Sequence, residues 1–234
     1  MNAKADEPTM APTTARKPRG EYAKSASTRR AILDAALEVF AQSGYRSGSL
    51  RDGAPRVGMS EAGLLHHFKS KGALLRAVLD YRDEHSRVIW DFDGSDGVNT
   101  LLGMVALARH NASTPGVVEL FCTVSAEATS PSHPAHAYFV DRYTYVRETT
   151  MRAFEQIEAA GRLAPDIDPR RAAVATIALM DGLQVQWLLD PSSTDMAADL
   201  ADFFRGIVRG FDLEGLERVL DALRAAPTPA RQLS

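Results

Sequence analysis

Apolar residues recur at helical spacing along most of this chain. Ile32, Leu33, Ala36, Leu37 and Phe40 fall three and four apart, and Ser43-Gly44 supplies a stop. Ahead of them, residues 1–25 mix Pro, Thr, Ala and scattered charges with too little apolar material for a core. They predict a disordered tail, with order beginning near Ser27 or Thr28. Two short helices with a tight break follow within Ser49–His67. Ser49 with Asp52 three residues later has the form of a capping box, and Ser60 is a second cap just after Gly58 and Met59. Ser70 opens another helix through Leu74, Leu75, Val78 and Tyr81 to Trp90, and Asp91–Gly97, rich in Gly and Asp, predicts a loop.

Beyond that loop the pattern predicts helices over Asn99–His110, Val117–Thr129, Pro134–Ala160, Pro169–Leu189 and Asp195–Arg209, with a last one near Leu213–Ala225. The cleanest stripe is Phe139, Tyr143, Val146, Thr150, Phe154 and Ile157, closed by Gly161. Pro169–Leu189 has the strongest punctuation: Asp168 as cap, Pro169 at the first helical position and Pro191 just past the end. No alternating strand pattern competes, so the expected fold class is all-α.

Composition changes this picture little, and charge changes it more. An apolar share of 45% suffices for a sizeable core, and 24% charged residues is ordinary. Ser27–Arg76 holds eight Lys/Arg and four Asp/Glu, a net of +4; with −3 over the whole chain, the remainder carries −7. A basic front and an acidic back fit one surface meeting phosphates and another kept away from them. No uninterrupted apolar run approaches a membrane span, and Met1–Arg19 lacks the apolar run of a signal peptide. The single Cys122 excludes an intrachain disulfide framework. A cytoplasmic protein without a membrane partner is the expectation.

The chemistry-bearing stretch has the requirements of a helix-turn-helix. A small residue belongs where its two helices cross, and Ala54 is there; the turn needs a residue tolerant of positive φ, and Gly58 follows four later. Leu50, Val57, Met59, Leu64 and Phe68 bracket the turn. Ile32-Leu33-Asp34-Ala35-Ala36 with Phe40 and Gly44-Tyr45 comes first, then Ser49-Leu50-Arg51-Asp52 and Val57-Gly58-Met59-Ser60. The block Gly63-Leu64-Leu65-His66-His67-Phe68-Lys69-Ser70-Lys71 completes the order. Over Ser27–Leu79 this resembles the DNA-binding domain of the Tet-repressor (TetR) family of bacterial regulators.

The resemblance implies a helix-turn-helix domain over 26–72, a helical ligand-binding and dimerisation domain over 73–226, and a flexible C-terminus over 227–234. It further implies a homodimer on a palindromic double-stranded DNA operator, released by a small-molecule effector, with repression the family norm. Thr28 would touch phosphate, and Arg51 would reach a guanine edge. Ser49 and Ser60 cap the two helices beside the DNA, while Glu61, Ala62, Gly63, Leu65 and His66 line the groove-facing side of the recognition helix. His67 and Lys71 would grip phosphates. Three positions depart from the family pattern. Gly53 stands where a large aliphatic residue is usual, Pro55 where a helix former is usual, and Leu65 where Tyr is common. Gly53 and Pro55 predict a short or distorted second helix, since proline in a helix interior costs about 3 kcal/mol.

The remaining helices offer candidates without a signature. Ile177, Asp181, Gln184 and Leu188 share one helical face. An acid and an amide in an apolar stripe are core polar groups with partners, dimer contacts or ligand-recognition groups. Trp90, His110, Cys122, Tyr143, Asp181 and Gln184 are the candidate effector contacts, packing being the alternative for the aromatics. Ala178, Gly182, Val185, Leu189, Phe203 and Ile207 are the candidate dimer face, where small residues allow close helix crossing. His110 with Glu119 and Cys122 is not at a recognised metal spacing, and Pro134 breaks the His133 and His136 pair at its start, so neither metal nor cofactor is expected. The sequence has no Gly-rich phosphate loop, His-Glu-x-x-His or nucleophile elbow, so an enzyme is not expected. An adaptor using the scaffold without DNA remains the competing class.

Overall fold

The computed structural model describes residues 19–47, 51, 54–90, 97–217 and 221, with the backbone alone of 19–26, 47, 56–57, 65 and 85–90. Eight α-helices run through these residues: α1 Arg19–Ser47, α2 Glu61–His67, α3 Lys71–Trp90, α4 Gly97–Asn111, α5 Pro115–Glu127, α6 His136–Ala159, α7 Pro169–Leu189 and α8 Met196–Ile207. A 3₁₀ turn, Ala54–Val57, precedes α2. Among the described residues the only β-pairing is an isolated bridge between Leu163 and Val208. The fold is all-α.

The first helix runs from Arg19, ahead of the start expected near Ser27, and residues 1–18 of the expected 1–25 tail lie outside the described residues. Glu21, Ala23, Lys24 and Ala26 are good helix formers, so propagation backwards from the Ile32–Phe40 stripe needs no apolar contact of its own. Gly44 breaks the helical path with φ 71°, at the Ser43-Gly44 stop. Ile32, Leu33, Ala36 and Phe40 then pack against Ala54, Leu64 and Phe68 and against Leu74, Leu75, Val78 and Leu79 of α3. Full burial of a side chain such as Phe40 contributes about 1.5–3 kcal/mol.

Arg51 is helical and Ala54–Val57 form a 3₁₀ turn, with Pro55 at its second position, where its missing N–H would have had no helical partner. Gly53 lies outside the described residues. Gly58 follows with φ 65°, its N–H bonded to the Pro55 carbonyl at 3.1 Å, and Met59 N–H reaches Ala54 O at 2.9 Å. Ala54 is buried at the crossing.

The packing boundary does not fall at residues 72–73. That point lies in the first turn of α3, and the N-terminal core continues into Leu120, Phe121 and Val124 of α5 and Tyr138 and Phe139 of α6. The long α3 therefore belongs to both halves. Gly116 marks where α5 meets α1: a Cβ there would lie 2.8 Å from the Ala41 carbonyl oxygen. The second core joins Leu101, Val105, Phe154, Ile157, Leu200, Phe204 and Val208 from α4, α6, α8 and the residues just after it.

Helix α7 has the bounds its punctuation predicts, with Asp168 accepting from Arg171 N–H at 2.8 Å. The α6 stripe is buried at Phe139, Thr150, Phe154 and Ile157, and Gly161 closes it with φ 67°. Of the last expected helix, 216–217 and 221 are helical. Its other residues after 217, the 227–234 terminus, and Ser49 lie outside the described residues.

Candidate functional site

The reading head is built around α2. Ser60 caps it, its hydroxyl accepting from Gly63 N–H at 3.1 Å, and Glu61 adds an acid to the first turn. Leu64 and Phe68 anchor α2 in the core, leaving Glu61, Ala62, His66 and His67 exposed. The two histidine rings lie edge to face, 6.1 Å between centroids. Arg51 is exposed beside the start of α2, its guanidinium 3.8 Å from the Glu61 carboxylate. Lys71 opens α3 and is tethered: its ammonium donates to Arg46 O at 3.0 Å and lies 5.0 Å from the Tyr45 ring centre. An ammonium has three donors, so this bond leaves two for another acceptor. Thr28 is half-buried on α1, and the side chain of Leu65 lies outside the described residues.

Arg46, at the end of α1, also pairs with Glu127 of α5 at 2.8 Å, and His133 Nε2 lies 3.7 Å from the other Glu127 oxygen. The head is thereby tied to the rest of the molecule by charge as well as by the shared core.

A cavity of about 80 Å³ opens between α3, α4, α5, α6 and α7. Its polar wall is Arg82 and Asp83 from α3, Asn111 from α4, Arg142 and Tyr143 from α6, and Asp181 and Gln184 from α7. Its apolar wall includes Met104, Leu107, Phe121, Ile177 and Met180. Tyr143 donates to Asp181 Oδ2 at 2.8 Å, and Tyr138 donates to Asp83 Oδ2 at 2.5 Å. Arg142 forms an ion pair with the other oxygen of Asp83, and Arg82 lies 3.6 Å from that same oxygen. Burial pushes the Asp181 carboxyl above its ordinary value, although the Tyr143 hydroxyl and the Arg142 charge pull the other way. Burial and the charge of Arg142 both lower Arg82; for Arg142 burial is the largest cause and lowers, but Asp83, Tyr138 and Tyr143 together outweigh it.

Of the expected effector contacts, Tyr143, Asp181 and Gln184 line the cavity and two do not. Cys122 sits behind the wall, its Sγ 3.6 Å from Gln184 Oε1, with burial pushing the thiol up to about 11. His110 is one residue out of register: on α4 it is the following Asn111 that turns inward. The Trp90 side chain lies outside the described residues. Arg82 and Asp83 were missed because an Arg-Asp pair on an amphipathic helix reads as a solvated edge until the facing helix supplies Arg142. Among the described residues, no three His, Cys, Asp or Glu side chains gather as a metal cluster.

Two sequence profiles match the chain in tandem. The "Bacterial regulatory proteins, tetR family" profile matches residues 32–78, and the "BetI-type transcriptional repressor, C-terminal" profile matches residues 105–209. The chain belongs to the TetR family. Among similar proteins, the A-factor receptor protein of Streptomyces griseus is 26% identical over 191 residues, 80% of this chain and 65% of that one. The chain thus spans just under two thirds of that relative's length. The regulator TtgR of Pseudomonas putida is 27% identical over 184 residues, 74% of this chain and 86% of its own. The solved structure of NalD, secondary repressor of the MexAB-OprM multidrug efflux pump in Pseudomonas aeruginosa, aligns with TM-score 0.60 and 25% identity. That alignment covers 80% of this chain and 99% of NalD.

In this TetR-family chain, the expected dimer residues divide by exposure. Ala178, Val185 and Leu189 are exposed on α7, Leu189 by 82%, and a Cβ at Gly182 would meet nothing within 4 Å. Phe203 and Ile207 of α8 are half-buried against their own core, and so are less available than expected. By length and composition, α7 is the one described helix apolar enough to cross a membrane. Yet it carries Asp181 in a hydrogen bond, and it buries Leu183 and Trp187 within its own chain.

Proposed function

We propose that this chain is a homodimeric, cytoplasmic, ligand-responsive repressor that reads a palindromic operator with α2 and binds its effector in the cavity beside α3. It acts by binding DNA, not by catalysis. One observation carries this: α2 is capped, anchored by Leu64 and Phe68, and turns Glu61, Ala62, His66 and His67 outward with Arg51 alongside. That is the arrangement a recognition helix needs in a major groove. Arg51 is assigned to a guanine edge, with Glu61 holding it until a base takes its place. His67, Lys71 and Thr28 are assigned to phosphates.

Arg82 and Asp83 sit on the same helix whose Leu74, Leu75, Val78 and Leu79 form the floor of the reading head. An effector that pulls on α3 therefore moves the head, which selects between dimer states with different half-site spacing. The names of two relatives, a receptor protein and the secondary repressor of a multidrug efflux pump, favour small-molecule control of this kind.

The test is selection of bound duplexes from a random pool at moderate salt, with Arg51→Ala as control. An inverted repeat should be recovered, with discrimination at one base pair weakened by about 1–3 kcal/mol in the control. No enrichment, or enrichment indifferent to Arg51, would favour a protein–protein adaptor instead.

A further inference from the structure

Two guanidinium groups meet in the cavity wall beside one carboxylate. Arg82 and Arg142 lie over one ring, that of Phe121, at 5.0 and 4.9 Å from its centre. They share a single carboxylate. Arg142 pairs with one oxygen of Asp83 and the Tyr138 hydroxyl donates to the other, while Arg82 lies 3.6 Å from the oxygen that Arg142 pairs with. Among the described residues no second carboxylate lies within 4 Å of either guanidinium. Asp181, the other acid of the wall, is engaged by Tyr143 and shifted by burial toward its neutral form. The Arg82 side chain is only 14% exposed, so water does not compensate it fully. A guanidinium in such a place wants a planar anion that can accept two parallel N–H bonds.

We propose that the effector is an organic anion, a carboxylate on a short apolar body, whose charge pairs with Arg82 while its body lies against Met104, Leu107, Ile177 and Met180. This rests on the cavity being the effector site. A cationic ligand is disfavoured on the same geometry: the Phe121 ring that would receive it already carries two guanidinium groups. Because Arg82 belongs to α3, formation of the pair is felt directly by the reading head.

The experiment uses the full chain on its selected operator, with three probes of matched shape: 4-phenylbutyrate, 4-phenylbutyramide and 4-phenylbutylamine. Thermal melting reads binding, and fluorescence anisotropy of the labelled duplex reads release. The carboxylate should raise the melting temperature and release DNA, with the amide weaker by at least about tenfold, the loss expected for a charge-assisted bond. Arg82→Gln should remove that preference. In the absence of any probe it should melt at or above the unsubstituted protein, because it removes a poorly compensated cation. If the amide or the amine binds as tightly and releases DNA, the anion is wrong while the effector site stands. If no probe binds and Arg82→Gln melts lower, Arg82 is a structural partner of Asp83, and the anion and the effector cavity both fall.

Discussion

Asp181 shows how much one residue's surroundings decide. On α7 it shares a face with Ile177, Gln184 and Leu188, and the cavity takes that acid out of water. Burial raises its carboxyl above the ordinary 3.8, against the Tyr143 hydrogen bond and the Arg142 charge, which lower it. The folded chain therefore binds more protons than the unfolded chain between those two pKa values. Stability contributed by protonated Asp181 is present at the acid end, falls as pH rises through the window, and levels off above the folded pKa. Asp181→Asn keeps an oxygen for Tyr143 and cannot ionise. Its melting temperature relative to the unsubstituted protein should climb from pH 4 upward and then plateau, as followed by circular dichroism at half-unit steps. A difference that stays flat or falls over that range would mean that Asp181 is held ionised.

At the scale of elements, local signals were strong where one segment decides and silent where two must meet. The Asp168–Pro169 start of α7, the Ser60 cap, the positive φ of Gly58 and the interruption at Pro55 depend on neighbours in sequence, and all were legible there. The Arg82–Asp83–Arg142 cluster joins α3 to α6, and no spacing rule reaches across 59 residues from Asp83 to Arg142. The inward turn of Asn111 in place of His110 depends on the rotation of α4 about its axis, which a one-residue error reverses. Likewise the extension of α1 back to Arg19 rests on propensity, which is weak beside an apolar stripe. Pro55 allows a direct check on the interrupted helix. Pro55→Ala with Gly53→Ile should extend the 3₁₀ turn into an α-helix and stabilise the head by about 1–3 kcal/mol. Denaturant unfolding measures it, and an unchanged or lower midpoint would mean that tertiary packing, not these two residues, sets the turn.

Among the described residues, α7 carries an apolar stripe that its own chain does not cover. Among the described residues the exposed large apolar side chains are Val140, Val174, Val185 and Leu189, and three of these four lie on α7. With exposed Ala178 they recur four, seven and four apart, one stripe along the helix, and Gly182 leaves it open to close approach. The opposite side of the same helix is committed to the core through Leu183 and Trp187, and its flank to the cavity through Asp181 and Gln184. A partner copy on the stripe would thus sit one helix away from the effector, and the spacing of the two reading heads would be set from the same element that senses it. In such a dimer operator affinity would depend on both heads engaging together, since each half-site alone gains no effective concentration from the other. Val185→Glu with Leu189→Glu places four like charges across the two-fold contact and removes its apolar area. Sedimentation should show a monomer at micromolar concentration with unaltered helical dichroism, and operator binding should weaken by about 10²-fold or more. A dimer that persists in the double variant would move the interface to α8, where Phe203 and Ile207 are only half-buried.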